Sequence, residues 1–594
     1  MRGRRCGRDI RAHAWLGDAD LSGAQGAAPP PHRHGRRRRV EGARAPGRAG
    51  PPHRLRTGVR GRAGRIAPAG AALRARRGRT AGRVLRRASA QRAVPGFERV
   101  PRVLPPGAAP PPEGADRVTR KPRRRRLMMY DTPQCRPHGR FNASRASLLR
   151  RILTCIAVLA LAFLAVSAQA ATYHVEAGAT GANDGSSTAP FATIAQAASV
   201  ARAGDTVYVE QGEYNESVVL EHSGKENTPI IFVGQDRPEV HGAGGPGFFI
   251  SGNHVTVQGF DVSGGVFGIH VTGSNVNLLG NYVHHNRHDG IRVDGAMDVH
   301  IQSGEIYDNG PGNAVGIWLA GSVYDLVVQD VDISSTGIQK TGINAYEAGE
   351  SNGIILRNVN IHDHPEYGAS LMAESPGELT DIRIINCRFD HNGFGAVHTI
   401  GDMRYRLGNV LIQRATRSIV EKSVFSNGPG WGMDCYTSDR LVIRNNLFLD
   451  NMDSGDPTVG PGIGLEVNAG QDNLILHNVF YGNSIGLFTS YLDSGGPWPP
   501  GPAFDVVQNN IFWSNDEDMQ VTSEDNPPLT VLQGANLMGV DPQFVDPAGL
   551  DFHLAQGSPA IDAGVDAGVE DDFDGNPRPQ GKAPDIGAFE FQQQ

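Results

Sequence analysis

Gly268-Ile269-His270-Val271, Gly290-Ile291-Arg292-Val293 and Gly316-Ile317-Trp318-Leu319 open a series of nine related segments. It continues through Gly342-Ile343-Asn344-Ala345, Gly368-Ala369-Ser370-Leu371, Gly395-Ala396-Val397-His398, Gly432-Met433-Asp434-Cys435, Gly464-Leu465-Glu466-Val467 and Gly486-Leu487-Phe488-Thr489. Successive glycines lie 22, 26, 26, 26, 27, 37, 32 and 22 residues apart. A period in the twenties, with strand-length apolar alternation in every unit and no helix-period stretch between units, is the pattern of a β-solenoid in which each unit forms one coil.

A second apolar strand precedes each glycine, as in Val255-Thr256-Val257, Ile382-Arg383-Ile384 and Leu441-Val442-Ile443. The turn between the strands often ends in asparagine, at Asn286, Asn309, Asn392, Asn427, Asn451, Asn483 and Asn515. Asparagine tolerates the left-handed backbone region that a sharp corner needs, and stacked amides hydrogen-bond from coil to coil. These asparagines are therefore expected to be structural.

Residues 171–535 resemble the right-handed parallel β-helix superfamily of pectate lyases, alginate lyases, mannuronan epimerases and polygalacturonases. The N-terminal part shares the resemblance, in Asn183-Asp184-Gly185, Pro190-Phe191-Ala192-Thr193-Ile194 and Gly204-Asp205-Thr206-Val207-Tyr208-Val209. The resemblance implies an all-β right-handed parallel β-helix of about ten coils, with a short helix capping the N-terminal end of its core. Residues 536–594 resemble the terminal module called choice-of-anchor Q, in Asp541-Pro542-Gln543-Phe544, Ser558-Pro559-Ala560-Ile561-Asp562 and Asp585-Ile586-Gly587-Ala588-Phe589-Glu590.

The formal net charge of −5 hides a division: residues 1–170 hold 39 Lys+Arg against 8 Asp+Glu, and residues 171–594 hold 18 against 54. Residues 1–127 are rich in Arg, Gly, Ala and Pro without apolar periodicity, so they bury no core and read as a mis-assigned start. Residues 128–170 read as a signal peptide, with Arg150-Arg151, an apolar run from Ile152 to Val166 and Ala168-Gln169-Ala170 in order. Cleavage near Ala170 gives a secreted or cell-surface monomer with no membrane span and no nucleic-acid partner. Only Cys387 and Cys435 then remain, too few for a disulfide framework, and Cys435 falls at an inward strand position.

Strand alternation turns the third residue of each segment outward. The outward ladder reads His270, Arg292, Trp318, Asn344, Ser370, Val397, Asp434, Glu466 and Phe488. A parallel ladder two residues on includes Asp294, Tyr346, Thr399 and Tyr436. His270, Asp294, Trp318, Asn344 and Tyr346 are the expected substrate-binding residues, and the long 395–432 and 432–464 intervals place loops around Asp434. Arg404 and Arg406 in the first of these suit the carboxylates of a polyuronate. Another insertion, containing Trp498, follows Phe488.

Asp434 and Glu466 hold equivalent sites in successive coils, with Asp439 close by, and like charges that near must share a proton or bind a cation. The resemblance implies calcium at Asp434, Asp439 and Glu466, and a base among Tyr436, Arg292, Lys340 and His398, although alternation turns His398 inward. The leading expectation is a lyase acting on an acidic polysaccharide of pectate or alginate type by calcium-assisted β-elimination. A non-catalytic glycan-binding protein and a hydrolase using the paired carboxylates stay open. The cluster His284, His285, His288 and Asp289 reads as an exposed corner, and Asp-Pro-His, a motif of the epimerases, is absent.

Overall fold

The computed structural model describes residues 170–592 apart from 349, 374–376, 401–402, 453–454, 457, 492–503 and 524–529. The expectations for residues 1–127, for the export segment up to residue 169 and for the insertion carrying Trp498 lie outside the described residues.

Each coil contributes three short strands whose alternate residues point inward. No coil encloses a core alone, so apolar surface is buried only by stacking. One ladder contains Val255–Gln258, Arg383–Ile385, Val442–Arg444 and Leu474–Leu476, and a second contains Asp261–Ser263, Arg388–Asp390, Leu447–Leu449 and Val479–Tyr481. The two merge into one 27-stranded sheet because Val276–His284, Met297–Tyr307 and Tyr324–Ser334 run unbroken around the bend. The third ladder is a separate sheet of 12 parallel strands, from Val218–Leu220 to Glu517–Ser523, against the roughly ten coils expected. Parallel crossovers between twisted strands wind right-handed, and the fold is a right-handed parallel β-helix.

Three left-handed residues, five positions apart, turn most coils: Asp381, Asn386 and His391 in one, Arg440, Asn445 and Asp450 in another, Asp472, His477 and Gly482 in the next. This corrects the expectation for the corner asparagines. Asn286, Asn309, Asn392, Asn451, Asn483 and Asn515 each follow a left-handed residue rather than being one, and the turn before them aims their side chains inward. Asn427 alone of the seven is left-handed; it is exposed and donates to Asp390 at 2.7 Å.

The inward amides form a continuous chain. Asn286 Nδ2 donates to Asn309 Oδ1 (2.8 Å), Asn309 to Gln339 (3.1 Å), and Gln339 Nε2 meets His364 Nε2 at 3.0 Å. His364 Nδ1 lies 3.0 Å from Asn392 Oδ1, and Asn392 donates to Asn409 at 2.9 Å. Asn409 then reaches Asn451 (3.4 Å), which donates to Asn483 (3.0 Å) and so to Asn515 (3.0 Å). His364 is fully buried, and burial lowers its pKa to about 4, so it occupies its rung as a neutral ring. The repeat glycines lie against this chain: a methyl group at Gly290 would sit 2.7 Å from Asn309 Nδ2 and 2.7 Å from Gly316 O. Beside it Phe389, Phe425, Phe448, Phe480 and Phe512 stack at centroid spacings of 5.3, 5.0, 4.9 and 4.7 Å.

The repeat assigned to Gly395 is not a coil. Ala369 pairs with Val410, and Val410 with Met433, so Val410–Gln413 is the strand between them and Asn409 stands where other coils have glycine. Residues His398–Ile400 instead pair antiparallel with Met403–Tyr405. His398 therefore leaves the inward position expected for it, and Leu411 and Gln413 replace Val397 and Thr399 on the two ladders.

Helix α1 (Ile194–Val200) caps the N-terminal end and buries Ile194, Ala197 and Ala198. Thr193 and Gln196 form a capping box, and the Glu216 carboxylate accepts from Ile194 N (2.8 Å) and Ala195 N (2.9 Å), at the positive end of the helix. The β-helix extends to Leu537–Met538, past the expected boundary at 535. The following residues pack on its flank, where Phe552, Ile586 and Phe589 share an apolar cluster with Leu447, Val479 and Ile511. Arg578 is buried against Glu590 at 2.6 Å and ties this segment to Asn445.

Asn451→Ala removes the rung that accepts from Gly428 N (3.0 Å) and donates to Phe425 O (3.0 Å) and Asn483. Unpaired buried amide groups cost about 1–3 kcal/mol each. Urea unfolding is expected to show a loss of about 3 kcal/mol; a change below about 0.5 kcal/mol would mean the chain of amides carries little stability.

Candidate functional site

On the 12-stranded sheet, Val410–Gln413, Trp431–Tyr436, Ile463–Asn468 and Ile485–Tyr491 are consecutive strands. Their register makes Leu411, Asp434, Glu466 and Phe488 successive rungs of one outward ladder. Adjacent strands lie about 4.8 Å apart. The backbone therefore holds two carboxyl groups side by side, with an apolar residue on either flank.

The two carboxyls differ in their partners. Trp431 Nε1 donates to Glu466 Oε2, and Asn468 Nδ2 donates to Glu466 Oε1 at 3.2 Å. Asp434 Oδ1 is buried with no hydrogen-bond partner. Burial raises Glu466 to about 7, against the lowering effect of its two N–H donors. Burial, with the neighbouring Glu466 charge, raises Asp434 well above the usual carboxylate range. Glu466, with donors on both oxygens, is the member that ionises first, and Asp434 keeps its proton.

Aromatic groups surround the pair. Tyr405 lies 5.7 Å from Trp431, centroid to centroid. Tyr436 is one outward position beyond Asp434 on the same strand, and burial and then the Asp434 and Glu466 charges raise its pKa. Tyr367 is raised well above 10 by burial and then by Asp434, Tyr405, Glu366 and Glu466. Burial lifts Tyr405 to about 12. These phenols remain protonated donors near neutral pH.

The remaining expected residues divide into other groups. Arg404 bonds Thr458 and lies 3.5 Å from Asp456, while Arg406 donates to the carbonyls of Gly395 (2.7 Å) and Phe394 (3.4 Å). Both arginines thus hold the inserted loops. Lys340 is paired with Glu366 at 3.0 Å. Asp439 is buried at a corner, with Oδ1 accepting from Gln471 N at 2.8 Å and Thr416 as its bridge partner, so it does not join Asp434 and Glu466. His398 lies on the hairpin opposite Tyr405, with ring centroids 5.8 Å apart.

His270, Arg292, Asp294 and Trp318 gather several coils away. His270 meets Asp294 at 2.7 Å, and Arg292 meets Asp294 at 3.1 Å and Asp289 at 3.7 Å, with its guanidinium 5.6 Å from the Trp318 ring centre. Asn344 is the rung after Trp318. The side chain of Tyr346 lies outside the described residues, on a strand whose register shifts between Ala345 and Ala348.

Sequence reasoning overlooked Tyr367, Tyr405 and Trp431. A signal for two of them was present: Tyr367 and Trp431 immediately precede repeat glycines, as Phe267 does in the distant group. Tyr405 reaches the pair only because residues 398–405 fold back as a hairpin.

Calcium takes about six to eight oxygen ligands. Both Glu466 oxygens already accept N–H donors, Asp439 faces a corner, and Asn468 Oδ1 accepts from Ser490 Oγ at 2.9 Å. Among the described residues no group of three or more His, Cys, Asp or Glu is placed to hold a metal. The residues present do not fit the calcium site expected at Asp434, Asp439 and Glu466.

A carboxyl whose pKa rises on folding favours the fold while protonated. For Glu466 that contribution is full below the ordinary value of 4.5 and is lost as pH rises through about 7. Glu466→Gln is expected to unfold at higher urea than the parent at pH 8, by roughly 1–3 kcal/mol, with a smaller difference at pH 4. Equal differences at both pH values would show that Glu466 is not held protonated by the fold.

A family model described as Pel9A-like, right handed beta helix region, matches residues 173–317, and one described as right handed beta helix region matches residues 315–498. The two matches together span residues 173–498 and agree with the right-handed β-helix of the structure. An uncharacterized protein of Bacillus subtilis, YwoF, is 26% identical over 351 residues, which span 56% of this chain and 66% of that protein, just under two thirds of its length. Among solved structures, pectate lyase Pel9A is 17% identical with a TM-score of 0.39, covering 72% of this chain and 97% of its own. The A-module of the Azotobacter vinelandii mannuronan C-5 epimerase AlgE6 is 12% identical with a TM-score of 0.44, covering 58% and 92%.

Proposed function

We propose that this chain is a carbohydrate-active enzyme that cleaves a glycan by acid–base chemistry at Asp434 and Glu466, and that hydrolysis is the reaction. The observation that carries this is the unequal pair: Glu466 oriented by two N–H donors, Asp434 with a buried oxygen that has none. Pairs of titratable groups whose surroundings separate their proton affinities mark acid and base roles. Asp434 gives its proton to the glycosidic oxygen as the C–O bond breaks. Ionised Glu466 attacks the sugar carbon as that bond breaks and forms a glycosyl ester; water then displaces Glu466 from the carbon, leaving its hydroxyl on the sugar and its proton on Asp434.

Side chains that project in parallel from adjacent strands, whose backbones lie about 4.8 Å apart, suit the short carboxyl separation of about 5–5.5 Å in retaining glycosidases rather than the wider inverting one. The product is therefore expected to keep its anomeric configuration. The order of positive region, apolar run and Ala-Gln-Ala at residues 128–170 supports action outside the cytoplasm. Among the described residues no helix is long and apolar enough to cross a membrane.

A second reading, the calcium-assisted lyase, is favoured by the Pel9A-like match over residues 173–317, where Arg292 and His270 lie. The two are separated by following reducing ends and ultraviolet absorbance together over a glycan panel, with calcium and with chelator. Hydrolysis yields reducing ends without unsaturation, and Asp434→Asn and Glu466→Gln each lower turnover by about 100-fold or more. Calcium-dependent absorbance would establish the lyase instead, and binding without product would leave a glycan-binding protein.

The pH profile tests the roles. Glu466 must be ionised, so activity falls as pH drops through about 7. Trp431→Phe removes one N–H donor and is expected to move that limb to higher pH; an unmoved limb would separate Glu466 from the rate.

A further inference from the structure

We infer that the Asp434–Glu466 site selects an uncharged glycan and excludes polyuronates, reversing the acidic substrate expected from the arginines of the 395–432 interval. This rests on the reading of the pair as an acid–base site. Three observations carry it. The ladder places two carboxyls side by side with Leu411 and Phe488 on either flank, so a third carboxylate from a uronate would enter a poorly solvated place already holding negative charge. The cations expected to serve the site are already engaged, Arg404 at Asp456 and Thr458, Arg406 at two backbone carbonyls and Lys340 at Glu366, and Arg440, the nearest in sequence to Asp434, donates to Thr416. Finally, residues 171–594 hold 18 Lys+Arg against 54 Asp+Glu, a charge that repels a polyanion before contact.

What the site offers instead suits a neutral sugar. Trp431, Tyr405, Tyr367 and Tyr436 supply ring faces and protonated hydroxyl groups, which bind the apolar face and the hydroxyls of a pyranose.

Binding is measured by calorimetry with Asp434→Asn, which keeps the charge of a protonated Asp434 while removing its proton transfer. The probes are hexasaccharides of xylose, glucose and galactose, against hexagalacturonate and hexamannuronate, each at low and at moderate salt. The expected result is at least one neutral hexasaccharide bound tenfold or more tighter than either uronate, with the uronates gaining affinity as salt rises. Glu466→Gln, which removes the site's charge, is expected to narrow that preference. Uronate binding equal to or tighter than every neutral probe overturns the inference, and so does failure of every neutral probe to bind. Digestion by the unaltered protein separates the two ideas. A bound neutral glycan left intact defeats the cleavage reading and leaves the selectivity standing, whereas a uronate hydrolysed in a manner dependent on Asp434 and Glu466 defeats the selectivity and leaves the cleavage reading standing.

Discussion

The buried chain of side-chain amides from Asn286 to Asn515 is the constraint on which the rest of this molecule depends. Each amide both donates and accepts, so a rung is satisfied only when its neighbours stand one strand spacing above and below. That fixes the rise from coil to coil. The repeat glycines follow from it, because a side chain at Gly290 or Gly432 would collide with the amide nitrogen of Asn309 or Asn451. The same requirement explains Asn409, which enters from the strand side where the coil's own corner has Gly428.

The candidate site is a consequence of that fixed rise. A parallel, in-register sheet brings together residues 32 positions apart at one strand spacing, which is how Asp434 and Glu466 come to be adjacent. Loops could relax apart to relieve like charges; strands locked by the amide chain and by the phenylalanine stack behind them cannot. The repulsion is therefore answered by proton uptake, and the unequal hydrogen bonding decides which partner holds the proton. The aromatic rings around the pair come from the strand starts and from one inserted hairpin, so the rigid sheet sets the chemistry and the insertions set the surroundings.

Much of this was legible. Spacing and alternation gave the solenoid, the inward position of Cys435 and the adjacency of Asp434 and Glu466. The Gly395 segment shows where the pattern misled: it carries the motif, but the strand belongs to Val410–Gln413, whose glycine position holds Asn409. A motif of one glycine and two apolar residues does not state which of two candidates in a long interval makes the sheet hydrogen bonds. Arg404 and Arg406 misled differently, since their charge was legible but their partners Asp456 and Gly395 were not.

By itself the sequence determined what repeats. Inward apolar residues, corner residues able to turn left-handed and the glycine period follow from local rules that act within a few positions, so they can be read along the chain. Tertiary structure alone decided what those rules leave open: the pairing of Val410 in place of Ala396, the fold-back that sets Tyr405 beside Trp431, and the donors that distinguish Glu466 from Asp434. The physical reason is range. Strand alternation and turn preference are properties of neighbouring residues, whereas proton affinity and ion pairing depend on burial and on partners from other coils, which exist only once the coils have stacked.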